Sequence, residues 1–218
     1  MNIRQITGML FLAVTLNACS KETIRGTGNN ISQERTLESF SYLQTNGDIK
    51  VHISQGASQR IEVKGYENLV GITETTVQNN KLIVKYKEAY TNVKNSNIEL
   101  FIIMPKLEDV GTNGSGNIWI DGFTGAPSLD ASINGSSDII INQCSYDQVY
   151  FDINGSGNIN AYGLLSKRND AIIHGSGDIE TNCTESLRAR IYGSGNIRYH
   201  GDPVLDVQVS GSGTVTKQ

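Results

Sequence analysis

A six-residue motif, Asn154-Gly-Ser-Gly-Asn-Ile159, recurs through the second half of the chain and limits what the chain can fold into. Its copies start at Asn113, Asn134, Asn154, His174, Tyr192 and Ser210, so successive starts differ by 21, 20, 20, 18 and 18 residues. A period near twenty marks a stacked repeat, one supersecondary unit laid on the next. Counted from the first Gly of each copy, offset +4 holds Ile118, Ile139, Ile159, Ile179, Ile197 and Val215. Offset −2 holds Thr112, Ile133, Ile153, Ile173, Ile191 and Val209. Offsets −4 and +6 are mostly apolar and the intervening offsets mostly polar. Each unit therefore reads as a strand, a Gly-Ser-Gly bend and a second strand, with apolar side chains on one face on both sides of the bend.

One such unit buries little, so the units must stack. Parallel stacking at about 4.8 Å puts Ile over Ile along the core. It also aligns Asn117, Asp138, Asn158, Asp178 and Asn196 into a turn ladder, in which side-chain amides satisfy one another from coil to coil. The expected fold is all-β: a right-handed parallel β-helix, or solenoid, of 18–21-residue coils. The hand follows from the near-universal hand of parallel crossovers. Residues 106–218 form the repeats, and residues 35–105 form an N-terminal β region continuous with the helix or packed on it.

The N-terminal region alternates in period two. Candidate strands are 40–43, 49–53, 60–64, 70–74, 81–86 and 98–104, with turns such as Asn46-Gly-Asp48 between them. Residues 86–97 carry the weakest pattern and read as a loop. Pro105 ends the last strand, because it has no backbone donor.

Residues 1–18 read as a signal peptide, with Arg4 ahead of the apolar run 9–16, which is too short to span a bilayer. The run ends in Leu16-Asn-Ala-Cys19, which resembles a bacterial lipobox; Asn17 departs from its usual small or apolar residue. The resemblance implies a lipid on Cys19, a membrane partner and a cell-envelope address, most simply the outer membrane. The polar stretch 19–34 reads as a flexible tether. Cys144 and Cys183 fall two coils apart, about 10 Å. That exceeds the reach of a disulfide, so two free, buried thiols are expected.

The formal net charge is −4 with no basic stripe, which argues against nucleic acid. The Asp positions of the bends are too sparse for a calcium repeat, and no metal or cofactor is expected. The motif serines have no recurring His, and no catalytic residue can be assigned. Offset −5 collects Asp109, Asp130, Tyr150, Asp170, Arg188 and Asp206 on an outward face, with Asp152 at offset −3. Trp119, Ile140, Tyr150, Ile172 and Tyr192 also point outward by parity and form the candidate binding surface, for a glycan or protein ligand.

The repeated Gly-Ser-Gly-Asn/Asp-Ile, with Ile103-Met-Pro-Lys-Leu107 and Asn46-Gly-Asp-Ile-Lys-Val51 ahead of it, resembles the GIN-type head domain family of auto-transporter adhesins. That family is common among lipoproteins of the Bacteroidota. The resemblance covers about residues 35–216; Ser137 and Thr214-Val215 depart from it. It implies a β-helical fold and an envelope address. Adhesion comes with it as a family name, and it brings no catalytic motif. The expected function is a non-enzymatic, membrane-anchored adhesin or binding module. The alternatives are a polysaccharide-active enzyme on the same fold and a structural protein that self-associates as a homo-oligomer through the open end of its solenoid.

Overall fold

The structure, a computed structural model, describes residues 22–218. The first half comprises β1 (Glu22–Arg25), β2 (Asn30–Glu34), β3 (Tyr42–Gly47), β4 (Lys50–Gln55), β5 (Arg60–Tyr66), α1 (Glu67–Val70), β6 (Thr73–Gln78), β7 (Lys81–Tyr86), β8 (Tyr90–Lys94) and β9 (Glu99–Met104). The second half comprises β10 (Asp109–Gly114), β11 (Ile118–Asp121), β12 (Ala126–Gly135), β13 (Asp138–Asn142), β14 (Cys144–Gly155), β15 (Asn158–Gly175), β16 (Ile179–Gly193), β17 (Ile197–His200), β18 (Val204–Gly211) and β19 (Val215–Lys217). The fold is an all-β solenoid of stacked parallel coils.

The strands that enter the bends pair in parallel and in register. Asn113 aligns with Asn134, Asn134 with Asn154, Asn154 with His174, His174 with Tyr192, and Tyr192 with Ser210. The strands that leave them do the same, from Ile118 through Ile139, Ile159, Ile179 and Ile197 to Val215. Ile133, Ile153, Ile173 and Ile191 are fully buried, as are Ala131, Phe151, Ala171 and Ala189. The core is thus a dry column inside the coil, each layer of which covers the next.

The stack starts earlier than the six motif copies. β3 pairs with β10 so that Asn46-Gly47 lies against Asn113-Gly114, and β4 pairs with β11 so that Val51 lies against Ile118. Asn46-Gly-Asp48, expected to be a simple turn, is the bend of a further coil. β7 and β9 continue the stack beyond β3 and β4. There the direction reverses: β5 is antiparallel to β9, β6 to β7, and β2 to β5. α1 closes that end with Leu69 and Val70 buried in the core.

Three expectations are corrected here. Residues 22–34 are not a free tether. β1 pairs in parallel with β8, β2 pairs with β5, and Ile24 and Ile31 pack against the core, so this polar stretch gains ladder bonds that its composition does not advertise. The strand expected at 70–74 begins at Thr73, because the preceding residues make the turn of α1 and the Thr73 hydroxyl bonds the Leu69 carbonyl at 2.9 Å. The loop expected over 86–97 contains β8, whose partner is β1.

The ladder adds backbone donors to the side-chain bonds that were expected. Each side chain at offset +3 accepts the backbone N–H of its counterpart on the next coil: Asn117 from Asp138 at 3.0 Å, Asp138 from Asn158 at 3.2 Å, Asn158 from Asp178 at 3.0 Å and Asp178 from Asn196 at 2.8 Å. Any Oδ serves as that acceptor, so Asn and Asp are both suitable. Yet they alternate. The Asn amides donate sideways to the Asp carboxylates, Asn158 to Asp138 at 2.9 Å and Asn196 to Asp178 at 3.0 Å. Alternation keeps two carboxylates from meeting one coil apart, where like charges raise each other's pKa. The amide-to-amide ladder exists in another column, where Asn134 donates to Asn113 at 3.1 Å and Asn113 to Asn46 at 2.8 Å.

Ser137, the odd residue of the second copy, is buried, and its hydroxyl lies 3.0 Å from that of Thr112, the odd polar residue of the offset −2 column. The two departures satisfy each other. Cys144 and Cys183 are free and buried, and burial pushes the Cys144 thiol up to about 11.

Gly175 sits at φ +141, and a Cβ there would overlap the carbonyl oxygen of Gly155. Gly175→Ala is therefore expected to cost about 2–4 kcal/mol in urea unfolding, from the backbone strain and the clash together. Gly122, at φ +79 with open space around its Cα, should cost only about 1–2 kcal/mol when changed to Ala. Asn158→Asp would place three carboxylates in succession and remove one donor, for an expected loss of about 1–2 kcal/mol at pH 7. That loss should shrink as the pH falls below about 4 and the carboxyls protonate.

Candidate functional site

The outward residues of the solenoid fall on two faces, which separate the five candidates. Trp119 and Ile140 are neighbours on the face after the bends. Tyr150, Ile172 and Tyr192 lie on the face before them, at offsets −5, −3 and −1.

Trp119 belongs to an aromatic ladder. Its ring stacks on His52 at 4.6 Å, and His52 stacks on Phe101 at 4.8 Å, with interplanar angles of 9° and 10°. The Lys64 ammonium sits 4.4 Å from the Phe101 centroid and ends the series. The N-terminal region does not cover Trp119; it supplies the rings beneath it. Because the rings stack face to face along the coil axis, their faces are taken up by one another and only their edges meet solvent. This ladder is a cross-strand stabiliser. Tyr192 has one face stacked on His174 at 4.8 Å, and its other neighbour along the column is the short Ser210.

Tyr150 is different. It is 36% exposed, and among the described residues no ring stacks on it. Its neighbours along the column are Asp130 and Asp170, short side chains that leave the aromatic face open. Around it runs a groove of about 630 Å³, bounded by Asp130, Gln148, Arg168, Asp170, Arg188 and Asp206, that reaches the last coil at Val204 and Leu205. Consecutive strands present offsets −7 and −5 outward at the strand spacing, so side chains of unequal length line a rigid wall.

Charges in the groove are mostly compensated. Arg188 lies 3.0 Å from Asp170 and 3.7 Å from Asp206; Arg190 lies 2.6 Å from Asp206 and holds its carboxyl below the usual range. With its amide turned to accept, the Gln148 oxygen is 2.7 Å from Arg168 Nη2. Asp109 is paired with Lys81 at 3.4 Å. Asp130 is the exception. Partial burial and the neighbouring Asp109 raise its pKa. The Tyr150 phenol is raised by burial and by Asp152, Asp170 and Asp130. The wall therefore offers an aromatic face, several carboxylate acceptors and two guanidinium donors, the mixture that a polyhydroxylated or peptide ligand requires.

Sequence parity located Tyr150 and the offset −5 column but missed His52 and Phe101. Aligning Asn46-Gly-Asp-Ile-Lys-Val51 with Asn113-Gly-Ser-Gly-Asn-Ile118 would have placed His52 beside Trp119. Cys19 and the signal peptide expected over residues 1–18 lie outside the described residues.

The stacked bends agree with what the sequence matches. The chain belongs to the family described as "Putative auto-transporter adhesin, head GIN domain", whose model covers residues 39–203. Among solved structures, a "putative adhesin" from Bacteroides fragilis is 21% identical with a TM-score of 0.70, over 89% of this chain and 99% of that one. A "putative adhesin" from Parabacteroides merdae is 23% identical with a TM-score of 0.57, over 90% and 99%. A "putative lipid binding protein" from Parabacteroides distasonis is 22% identical with a TM-score of 0.56, over 90% and 100%. These likenesses establish a shared fold. No curated protein matches the sequence.

Because the folded-state pKa of Asp130 is raised, its ionised form costs stability above that pKa, and the cost disappears below the unfolded value near 4. Asp130→Asn is expected to raise the melting temperature at pH 7 and to leave it unchanged near pH 3, as read by circular dichroism.

Proposed function

We propose that the protein is a non-enzymatic binding protein of the cell envelope, of the adhesin class, held to the membrane by a lipid on Cys19 and engaging its ligand through the groove around Tyr150. The family membership supports the adhesin class, and the lipobox-like Leu16-Asn-Ala-Cys19 supports the anchor. The observation that carries the site is the free face of Tyr150, set among the carboxylates of Asp130, Asp152 and Asp170 on a rigid wall. A carboxylate that costs the fold stability is what a site kept for binding rather than folding looks like. The ligand class that fits is an extended, polyhydroxylated chain, stacked on the phenol ring and hydrogen-bonded by Asp130, Arg168 and Asp170.

A glycan and matrix-protein array probed with the purified protein tests this. Tyr150→Ala is expected to weaken the strongest binder by about tenfold or more while the melting temperature stays within a few degrees. Trp119→Ala should behave in the opposite way. Asp130→Asn should bind less well and melt higher. Binding insensitive to Tyr150 would remove the groove from the assignment, and release of reducing ends from a polysaccharide, lost in Asp130→Asn, would replace binding with catalysis. Protease shaving of intact cells and of a Cys19→Ala strain reads the anchor and the exposed face of the membrane.

A further inference from the structure

The two ends of the solenoid are unlike. At the N-terminal end the core is closed by α1, with Leu69 and Val70 buried. The outermost strands there, β2 and β6, are polar in sequence. At the other end the core is open. Among the described residues, β18 pairs with β16 alone and β19 with β17 alone, so their far edges carry backbone groups without a strand partner. The residues of β18 that belong to the inward columns, Leu205, Val207 and Val209, are 43%, 45% and 39% exposed, whereas their counterparts one coil earlier, Leu187, Ala189 and Ile191, are buried. An apolar, unpaired edge strand is a template for another strand.

We propose that this end joins a second copy of the same chain, tail to tail about a two-fold axis. Head-to-tail stacking has no matching coil to meet, because the closed end presents a helix and polar antiparallel strands. A two-fold contact needs only one surface, used twice. Antiparallel pairing of β18 with its own copy keeps apolar residues on apolar residues. In a register centred on Val207, Leu205 faces Val209 and Asp206 faces Gln208; centred on Gln208, Val207 faces Val209 and Asp206 faces Ser210. Neither register opposes two like charges.

The orientation gives this contact a purpose, and here the inference rests on the lipid-anchor reading. Only Ser20 and Lys21 separate Cys19 from β1, a reach of at most about 10 Å. β1 lies beside the closed end, where Asn68, on α1, bonds the Arg25 carbonyl at 2.8 Å. The closed end therefore sits at the membrane and the open end lies roughly 30 Å farther out, six bend steps away. Copies in one membrane point the same way, so their open ends do not face each other. Copies in two facing membranes do. The pairing is homophilic adhesion between membranes.

The test uses the full-length lipoprotein in two populations of phosphatidylcholine vesicles with different dyes, together with the same protein in detergent analysed by sedimentation. Wild type is expected to form dimers in detergent and to cluster the two populations. Val207→Lys with Val209→Lys, at positions already exposed, should abolish the dimer and cut clustering at least about tenfold, with an unchanged circular dichroism spectrum. Val207→Glu with Val209→Glu should do the same, and mixing vesicles of the two variants should restore clustering. A monomeric wild type, or Lys variants that pair as wild type does, overturns the proposal. Dimers in detergent with no clustering, and protein that fails to float with the vesicles, would overturn the anchor and the adhesion between membranes but leave the two-fold contact standing. Tyr150→Ala should leave clustering unchanged; its loss in that variant would place the contact in the groove instead.

Discussion

The fold depends on one close approach, repeated at every bend. The first glycine of each motif presents its carbonyl oxygen to the backbone N–H of the serine on the next coil: Gly135 to Ser156, Gly155 to Ser176 and Gly175 to Ser194, each at 2.9 Å. The same oxygen occupies the space that a Cβ on the next glycine would need. Close stacking and the missing side chain are thus one requirement. It fixes the coil spacing at the bend, and from that spacing follow the Ile columns, the Asn/Asp acceptors and the outward rows. Burial of the Ile columns supplies the driving force, but it is the bend that makes the apolar faces meet in a single register.

The same rigidity decides which outward residues are free to bind. Parallel stacking turns any column of like rings into a self-satisfied ladder, as in Phe101, His52 and Trp119. A ring is available only when its neighbours along the column are small or unlike, which is the position of Tyr150 between Asp130 and Asp170. Exposure by parity is therefore a weaker criterion than the identity of the residues one coil above and below.

Much of this was legible in the sequence. The motif starts gave the period, and the offsets gave the inward and outward sides, because side-chain direction in a strand is set by parity alone. The N-terminal coils were harder. Asn46 meets Asn113 across 67 residues, with the antiparallel β5 and β6, α1 and the separately paired β8 in between, and local pattern carries no information about such distant registers. The pairing of β1 and β2 was hidden for a related reason: polar edge strands look like linkers until their partners are known. The ladder column and its side-chain amide bonds were legible, but the backbone N–H donors were not, because whether they reach the next side chain depends on the geometry of the bend.

The step between bends shortens from 20 to 18 residues after His174, and the bends do not move out of line. The difference is taken up between β15 and β16, where the register breaks between Ala161 and Ser166 and again before Arg168, at the corner opposite the Gly-Ser-Gly bends. The coil thus has one edge with fixed spacing and another that accepts changes of length. Insertions and deletions at that corner alter the outline of the molecule without disturbing its core, so one architecture can carry loops of many sizes on one side while its bend edge stays constant.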